Sequence, residues 1–139
     1  MELLHVTLNP VGSYLGLPDD VLSAAIEVGS SVEAAPFEVT FDRVSSFRGT
    51  DRHPVVLRCS HGIAELMTLQ KILGAAMRSM RLGNRSGFTP HMTLLYDRQS
   101  VPESSIGVPI TWVVSEFVLV HSLYGQSEHV HCARWPLRG

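Results

Sequence analysis

The sequence lacks the features that mark several large classes of protein. It has two cysteines in 139 residues, too few for a disulfide framework, so a reducing, cytoplasmic setting is expected. No apolar run approaches the roughly 18 to 20 residues of a membrane-spanning helix. The N-terminus does not have the basic-then-apolar layout of a secretory signal. These absences favour a soluble, intracellular protein that has no contact with a membrane.

An excess of positive charge is also missing. The formal net charge is -2, which argues against a protein that coats long duplexes through phosphate attraction. Any contact with nucleic acid should therefore be local. With 45% hydrophobic and 17% charged residues, the composition is that of an ordinary globular protein, and the length fits one domain over residues 1–139.

The apolar residues that are present follow regular patterns. They predict helices over residues 18–29 and from residue 63 to the stop signal Gly83-Asn84. Strands are predicted over residues 3–8, 37–41, 55–58, 91–96, 110–123 and 128–135. Within the 110–123 segment, Glu116 either separates two strands or lies on the exposed face of one, and a loop with Pro102, Gly107 and Pro109 precedes it. This order predicts an α+β domain whose antiparallel sheets are covered by helices on one side.

One short motif occurs twice, far apart in the chain. His5-Val6-Thr7-Leu8 and His91-Met92-Thr93-Leu94 share the pattern His-x-Thr-Leu with an apolar residue in the middle. The chain has seven His and seven Thr, so random placement would give less than one such triplet. On a strand, His and Thr two positions apart share a face while the middle residue points into the core. Each copy therefore presents an imidazole beside a hydroxyl.

Two such pairs facing one cleft could perform acid and base catalysis on a phosphate. The unperturbed pKa of an imidazole is about 6.5, so at neutral pH one can be neutral and the other protonated. Threonine hydroxyls can donate hydrogen bonds to non-bridging phosphate oxygens, and an imidazolium stabilises the negative charge that develops. This chemistry requires no metal and no organic cofactor.

The paired motifs give the chain a family resemblance. The second copy lies in Phe88-Thr89-Pro90-His91-Met92-Thr93-Leu94, and Arg134-Trp135-Pro136-Leu137 lies near the end of the chain. With the Phe37-Glu38-Val39 strand, the Phe47 loop and the segment from Glu116 to Val120, it resembles the bacterial 2′-5′ RNA ligase / RNA 2′,3′-cyclic phosphodiesterase family. This family is a branch of the two-histidine (2H) phosphoesterase superfamily.

The resemblance implies two pseudo-symmetric lobes of antiparallel sheet with helices on the outer faces and the motifs across a central cleft. It implies hydrolysis of a 2′,3′-cyclic phosphate, on an RNA end or a small cyclic nucleotide, to a 2′-phosphate. Some members also join RNA ends reversibly through 2′-5′ bonds. By this resemblance, His5 and His91 are the catalytic acid and base, and Thr7 and Thr93 bind the phosphate.

The chain departs from the family pattern at two places. Family members usually carry a strand and a helix before the first motif, so the first lobe is expected to lack them. The family fold implies a monomer, but such an open lobe would also allow an oligomer.

Many members place Arg three residues after the second Thr, where this chain has Tyr96. Arg98 and Arg85 are the candidates to supply that charge, and Phe47 is the best candidate to stack a base.

Simpler interpretations stand beside this hypothesis. His129 and His131 could bind a transition metal from one strand face, but no further ligands follow at a recognised spacing, so no metal is expected. Trp112 and Tyr124 could stack a base, although core packing is the simpler role for Trp112. The main functional alternative is a module that binds RNA ends or nucleotides without turnover.

Overall fold

The computed structural model describes residues 5–12, 17–49, 51–83, 88–123 and 128–138. Within these residues, two helices and six strands follow one another in the order αββαββββ. They are α1 (Asp19–Ser31), β1 (Phe37–Ser46), β2 (His53–His61), α2 (Ile63–Ser79), β3 (His91–Asp97), β4 (Ser104–Val114), β5 (Glu116–Leu123) and β6 (Glu128–Pro136). Neither helix has both the length and the apolar character that a bilayer span requires, within these described residues.

The strands form two antiparallel sheets. One has four strands in the order β3-β2-β1-β4, and the other pairs β5 with β6. The chain passes between the sheets at Ser115, so the predicted 110–123 segment is two strands and Glu116 is the first residue of the second. The predicted α+β class with antiparallel sheets is confirmed.

Helix α2 packs against both sheets. Its Leu66 lies in a hydrophobic cluster with Val39, Phe41, Leu57 and Phe88, beneath the four-stranded sheet. One turn further along, Leu69 packs with Phe117 of β5. The apolar stripe that predicted this helix from sequence is therefore wide enough to pack against both sheets.

Helix α1 covers the two-stranded sheet. Gly29 lies so close to Trp135 that a Cβ there would overlap the indole ring. The indole of Trp135 also stacks on Phe117 at 5.2 Å and donates a hydrogen bond to the Ser30 hydroxyl at 3.1 Å. These contacts explain why the helix continues to Ser31 past the glycine that was expected to end it.

The prediction of a strand over residues 3–8 is wrong for residues 5–8, which form neither helix nor hydrogen-bonded strand. Residues 3 and 4 lie outside the described part of the chain. A strand exists only when a neighbouring strand completes its hydrogen bonds, and residues 5–8 have no place in either ladder. Their alternation persists, however, since Val6 and Leu8 are half-buried while His5 and Thr7 are exposed.

The loop predicted around Pro102, Gly107 and Pro109 is also partly wrong. Strand β4 already begins at Ser104 and includes Gly107 and Pro109. It pairs with β1 across an irregularity between the Phe41–Ile110 and Arg43–Ser105 pairs. As an edge strand β4 can hold a proline, because one side of its backbone needs no partner in the sheet.

Candidate active site

The second motif lies on β3 as the sequence predicts. His91 is the register partner of Arg58 and Thr93 that of Val56, both on β2. Met92, between them, packs against the core cluster under α2. His91 and Thr93 therefore share the sheet face that points away from this helix.

The imidazole of His91 is held in a defined orientation. Its Nδ1 lies 2.7 Å from the carbonyl oxygen of Thr89. A carbonyl can only accept, so Nδ1 carries the proton and the lone pair of the neutral ring is on Nε2. The ring of Phe47 packs edge-on against the imidazole, with centroids 4.8 Å apart. A half-buried histidine fixed in this way has its Nε2 available for proton transfer.

The first motif lies on the same hydrophobic core. Val6 and Leu8 pack against the cluster that also contacts Met92 of the second motif. The residue that follows the motif, Asn9, is fixed to α2 by two hydrogen bonds. Its Nδ2 donates to the Gln70 carbonyl at 3.2 Å, and Gln70 Nε2 donates to its Oδ1 at 2.9 Å. The apolar middle residues of both motifs thus meet one core, and His5 and Thr7 remain exposed beside it.

Of the other predicted site residues, the structure places some beside His91 and others elsewhere. Phe47 contacts His91 directly. Tyr96 pairs with Pro54, which lies on the same face of β2 as Arg58, the partner of His91. Tyr96 therefore lies on the same face of β3 as His91. Arg98 is exposed in a bend beyond the end of β3. Trp112 stacks on Phe41 at 5.4 Å and belongs to the core. Arg85 and Tyr124 lie outside the described residues.

Sequence reasoning missed two charged residues beside the second motif. The Arg58 guanidinium lies over Phe47, 6.0 Å from the ring centroid, and its Nη1 is 3.5 Å from Oε1 of Glu103. The register of β2 on β3 brings Arg58 next to His91, and Glu103 contacts Arg58. No local spacing in the sequence carries that information, since Arg58 and Glu103 belong to no motif.

Cys59, the residue after Arg58, is not a nucleophile candidate. Burial raises the pKa of its thiol, with smaller contributions from the charges of Asp42 and Glu65, and backbone hydrogen bonds oppose the shift. The thiol donates to the His61 carbonyl at 3.0 Å. A thiol held in the protonated form is a weak nucleophile.

The histidines considered for metal binding have other contacts where they are described. Arg134 Nη2 lies 2.6 Å from His131 Nδ1 and donates to it, and its Nη1 donates to Glu116 at 2.7 Å. The side chain of His129 is outside the description. Among the described side chains, no group of three or more His, Cys, Asp or Glu is arranged to hold a metal ion.

A family model describes most of this chain. The model of the 2′-5′ RNA ligase superfamily matches residues 2–125, which include both His-x-Thr motifs. None of the curated protein sequences compared with this chain is significantly similar to it.

Solved structures share the fold over nearly the whole chain. Protein TT0787 of Thermus thermophilus aligns with a TM-score of 0.77 and 24% identity, over 98% of this chain and 79% of its own. LigT of E. coli, in complex with NADP+, aligns with a TM-score of 0.77 and 26% identity, over 98% and 77%. The phosphate complex of LigT gives a TM-score of 0.77 with 22% identity, over 98% and 76%. The chain thus has the fold of these proteins and spans about three quarters of their length.

Proposed function

Because this chain belongs to the 2′-5′ RNA ligase superfamily, we propose that it hydrolyses the 2′,3′-cyclic phosphate of an RNA end or a small nucleotide to a 2′-phosphate. One observation carries the proposal. Val6 and Met92, the middle residues of the two motifs, pack against the same core cluster, although they are far apart in the sequence. That packing supports a single site built from both imidazoles and both hydroxyls.

In the proposed reaction His91 is the base. Its Nδ1 donates to the Thr89 carbonyl, so the Nε2 lone pair takes a proton from the attacking water. The resulting hydroxide adds to phosphorus and the bond to the 3′ oxygen breaks. His5, protonated, donates its proton to that leaving oxygen, which gives a free 3′-hydroxyl and a 2′-phosphate. Thr7 and Thr93 donate hydrogen bonds to the non-bridging oxygens.

Neighbouring residues supply contacts to the rest of the substrate. Phe47 and Tyr96, on the His91 face, offer aromatic surfaces for a terminal base or ribose. The LigT structures contain ATP, 3′-AMP, NADP+ and phosphate, which supports a phosphorylated nucleotide as the ligand class. Joining of RNA ends through a 2′-5′ bond would use the same two histidines, with a 5′-hydroxyl in place of water as the attacking group and the 3′ oxygen again leaving. Cleavage of that bond would be the reverse step.

The decisive assay is hydrolysis of 2′,3′-cyclic AMP, with chromatography to distinguish 2′-AMP from 3′-AMP. We expect 2′-AMP as the product, activity that survives EDTA, and a bell-shaped pH profile. We expect His5→Asn and His91→Asn each to lower kcat by about 10²- to 10⁴-fold, the usual contribution of general acid or base catalysis. His61→Asn is the matched control, because His61 is exposed and lies outside both motifs. Full activity in either motif variant would refute the mechanism.

The alternative, a module that binds without turnover, is favoured by two observations. The first motif is not held in a sheet, and Tyr96 brings no positive charge to the site. Tight binding of 2′-AMP by a protein that does not hydrolyse 2′,3′-cyclic AMP would establish this alternative.

A further inference from the structure

We propose that Arg58 binds the substrate phosphate beside the second motif and that the Glu103 carboxylate occupies Arg58 when no phosphate is bound. This inference rests on the proposed function, since it assigns the charge partner within the same site. It makes Arg58 a phosphate-binding residue and Glu103 an internal competitor. Neither residue belongs to a His-x-Thr motif.

The strand register places Arg58 between Arg43 and His91. Arg43 of β1 pairs with Arg58 of β2, and Arg58 pairs with His91 of β3. Directly paired residues on neighbouring strands present their side chains on one face about 4.5–5.5 Å apart at Cβ. Arg43, Arg58 and His91 therefore start from neighbouring positions on one sheet face across three strands.

The adjoining row shows which face this is. Val44 pairs with Leu57, and Leu57 pairs with Met92. All three pack against the core cluster that contains Leu66 of α2. Because side chains alternate along a strand, the row of Arg43, Arg58 and His91 faces away from α2. Arg43 is exposed and Arg58 is partly exposed.

Phe47 connects the guanidinium of Arg58 to the imidazole of His91. The Arg58 guanidinium carbon is 6.0 Å from the Phe47 centroid, and that ring packs edge-on against His91 at 4.8 Å. A cation over an aromatic face is held there electrostatically. One ring thus positions both the base and the cation, so a phosphate that contacts His91 is within the neighbourhood of Arg58.

The present partner of Arg58 is replaceable. Glu103 lies 3.5 Å away, and the two side chains are 39% and 48% exposed. That separation exceeds the roughly 2.7–2.9 Å of a strong charge-assisted hydrogen bond, and exposed ion pairs contribute little. A phosphate offers more charge and more acceptor oxygens in the bidentate geometry that a guanidinium matches. It should displace the carboxylate.

The fold keeps Glu103 close without fixing its side chain. The preceding loop is tied to β1 by two hydrogen bonds. Ser46 N donates to the Val101 carbonyl at 3.0 Å, and Val101 N donates to the Ser46 hydroxyl at 2.7 Å. The backbone anchor lies two residues before Glu103. The side chain can therefore leave Arg58 while the loop stays in place.

The inference is tested by calorimetric binding of 2′-AMP, with adenosine as the ligand that lacks phosphate. We expect Arg58→Gln to weaken 2′-AMP binding by about 10- to 100-fold, the loss typical of a charge-assisted hydrogen bond, with adenosine binding unchanged. Arg58→Lys should restore part of the affinity. Glu103→Gln should tighten 2′-AMP binding by about 2- to 5-fold, the scale of an exposed ion pair. Arg78→Gln, on the exposed surface of α2, is the matched control.

The double variant completes the test, because the gain from Glu103→Gln should vanish in combination with Arg58→Gln. Unchanged 2′-AMP binding in Arg58→Gln, absence of 2′-AMP binding by the unaltered protein, or equal losses for adenosine would overturn the inference. Its failure is separable from that of the proposed function. Hydrolysis of 2′,3′-cyclic AMP that is equally fast in the Arg58→Gln variant refutes only the role of Arg58, whereas Arg58-dependent binding without hydrolysis refutes only the catalysis.

Discussion

The orientation of His91 is fixed by two contacts of its imidazole ring. The Nδ1 contact to the Thr89 carbonyl and the edge of Phe47 determine the tautomer and the plane of His91. The repeated motif predicted that His91 and Thr93 share one face of a strand, which β3 confirms. The proposed stacking of a base on Phe47 remains a prediction. Arg58 was not predictable, because its place beside His91 depends on the pairing of β2 with β3.

The pair formed by Asn9 and Gln70 leads to a prediction at this scale. Gln70 is 8% exposed, so Asn9→Ala leaves a buried amide without its partner. We expect a loss of about 1–3 kcal/mol in the free energy of unfolding, measured with urea. We also expect a lower kcat on 2′,3′-cyclic AMP, because the segment that carries His5 and Thr7 loses its anchor on α2.

Thr68→Ala is the control for this variant. It removes a hydroxyl on the same helix whose hydrogen bond, to the Ala64 carbonyl, is exposed. Stability and kcat should both remain close to those of the unaltered protein. An Asn9→Ala protein as stable and as active as the control would show that this hydrogen-bonded pair does not position the first motif.

Among the strands, an irregularity in β3 determines whether Tyr96 lies on the same face as His91. In a regular strand Tyr96 would lie on the face opposite His91, since the two are five residues apart. The register passes from the Val56–Thr93 pair to the Val55–Leu95 pair, so Leu94 is an extra residue on β3. This bulge returns Tyr96 to the site face. Hydrophobic alternation cannot show such an insertion.

The beginning of α2 depends on a glycine, which gives a prediction for this element. Gly62 caps the helix with φ of 87°, in the left-handed region that disfavours side chains. A Cβ there would also meet the Glu38 carbonyl oxygen and would lie 2.9 Å from Val39 Cγ1. We expect Gly62→Ala to lower the free energy of unfolding by about 1–3 kcal/mol, measured by urea denaturation.

Gly107→Ala is the matched control, because a Cβ at Gly107 meets nothing within 4 Å. Alanine in place of this strand glycine should be neutral or stabilising by up to about 1 kcal/mol. Equal effects of the two substitutions would contradict the role assigned to Gly62.

At the scale of the whole molecule, α2 is the element that joins the parts. Leu66 packs beneath the four-stranded sheet and Leu69 against β5, so one helix links both sheets. Its wide apolar stripe predicted a long buried helix, and the strand patterns predicted the antiparallel α+β class. The sequence did not predict which residues belong to each sheet. The chain passes from one sheet to the other at Ser115, within one continuous run of strand-forming residues. The pseudo-twofold relation of two lobes remains a prediction.

The first motif illustrates the same limit. Its middle residue Val6 packs toward the core as predicted, with Leu8 beside it, yet residues 5–8 are not part of a sheet. Alternation reports which side of a segment is buried, whereas strand formation also requires a partner that lies elsewhere in the chain. The sequence pattern therefore predicts which side of this segment is buried more reliably than the backbone structure that carries it.

In the proposed mechanism His5 and His91 act on one phosphate. An NMR titration with 2′-AMP of the protein labelled with ¹⁵N in its histidine rings tests whether they do. We predict that the ring signals of His5 and His91 both shift and saturate with a single dissociation constant at one equivalent of ligand, while those of His61 stay in place. A shift in only one of the two motif histidines, or saturation of the two with different constants, would show that His5 and His91 do not share one phosphate site.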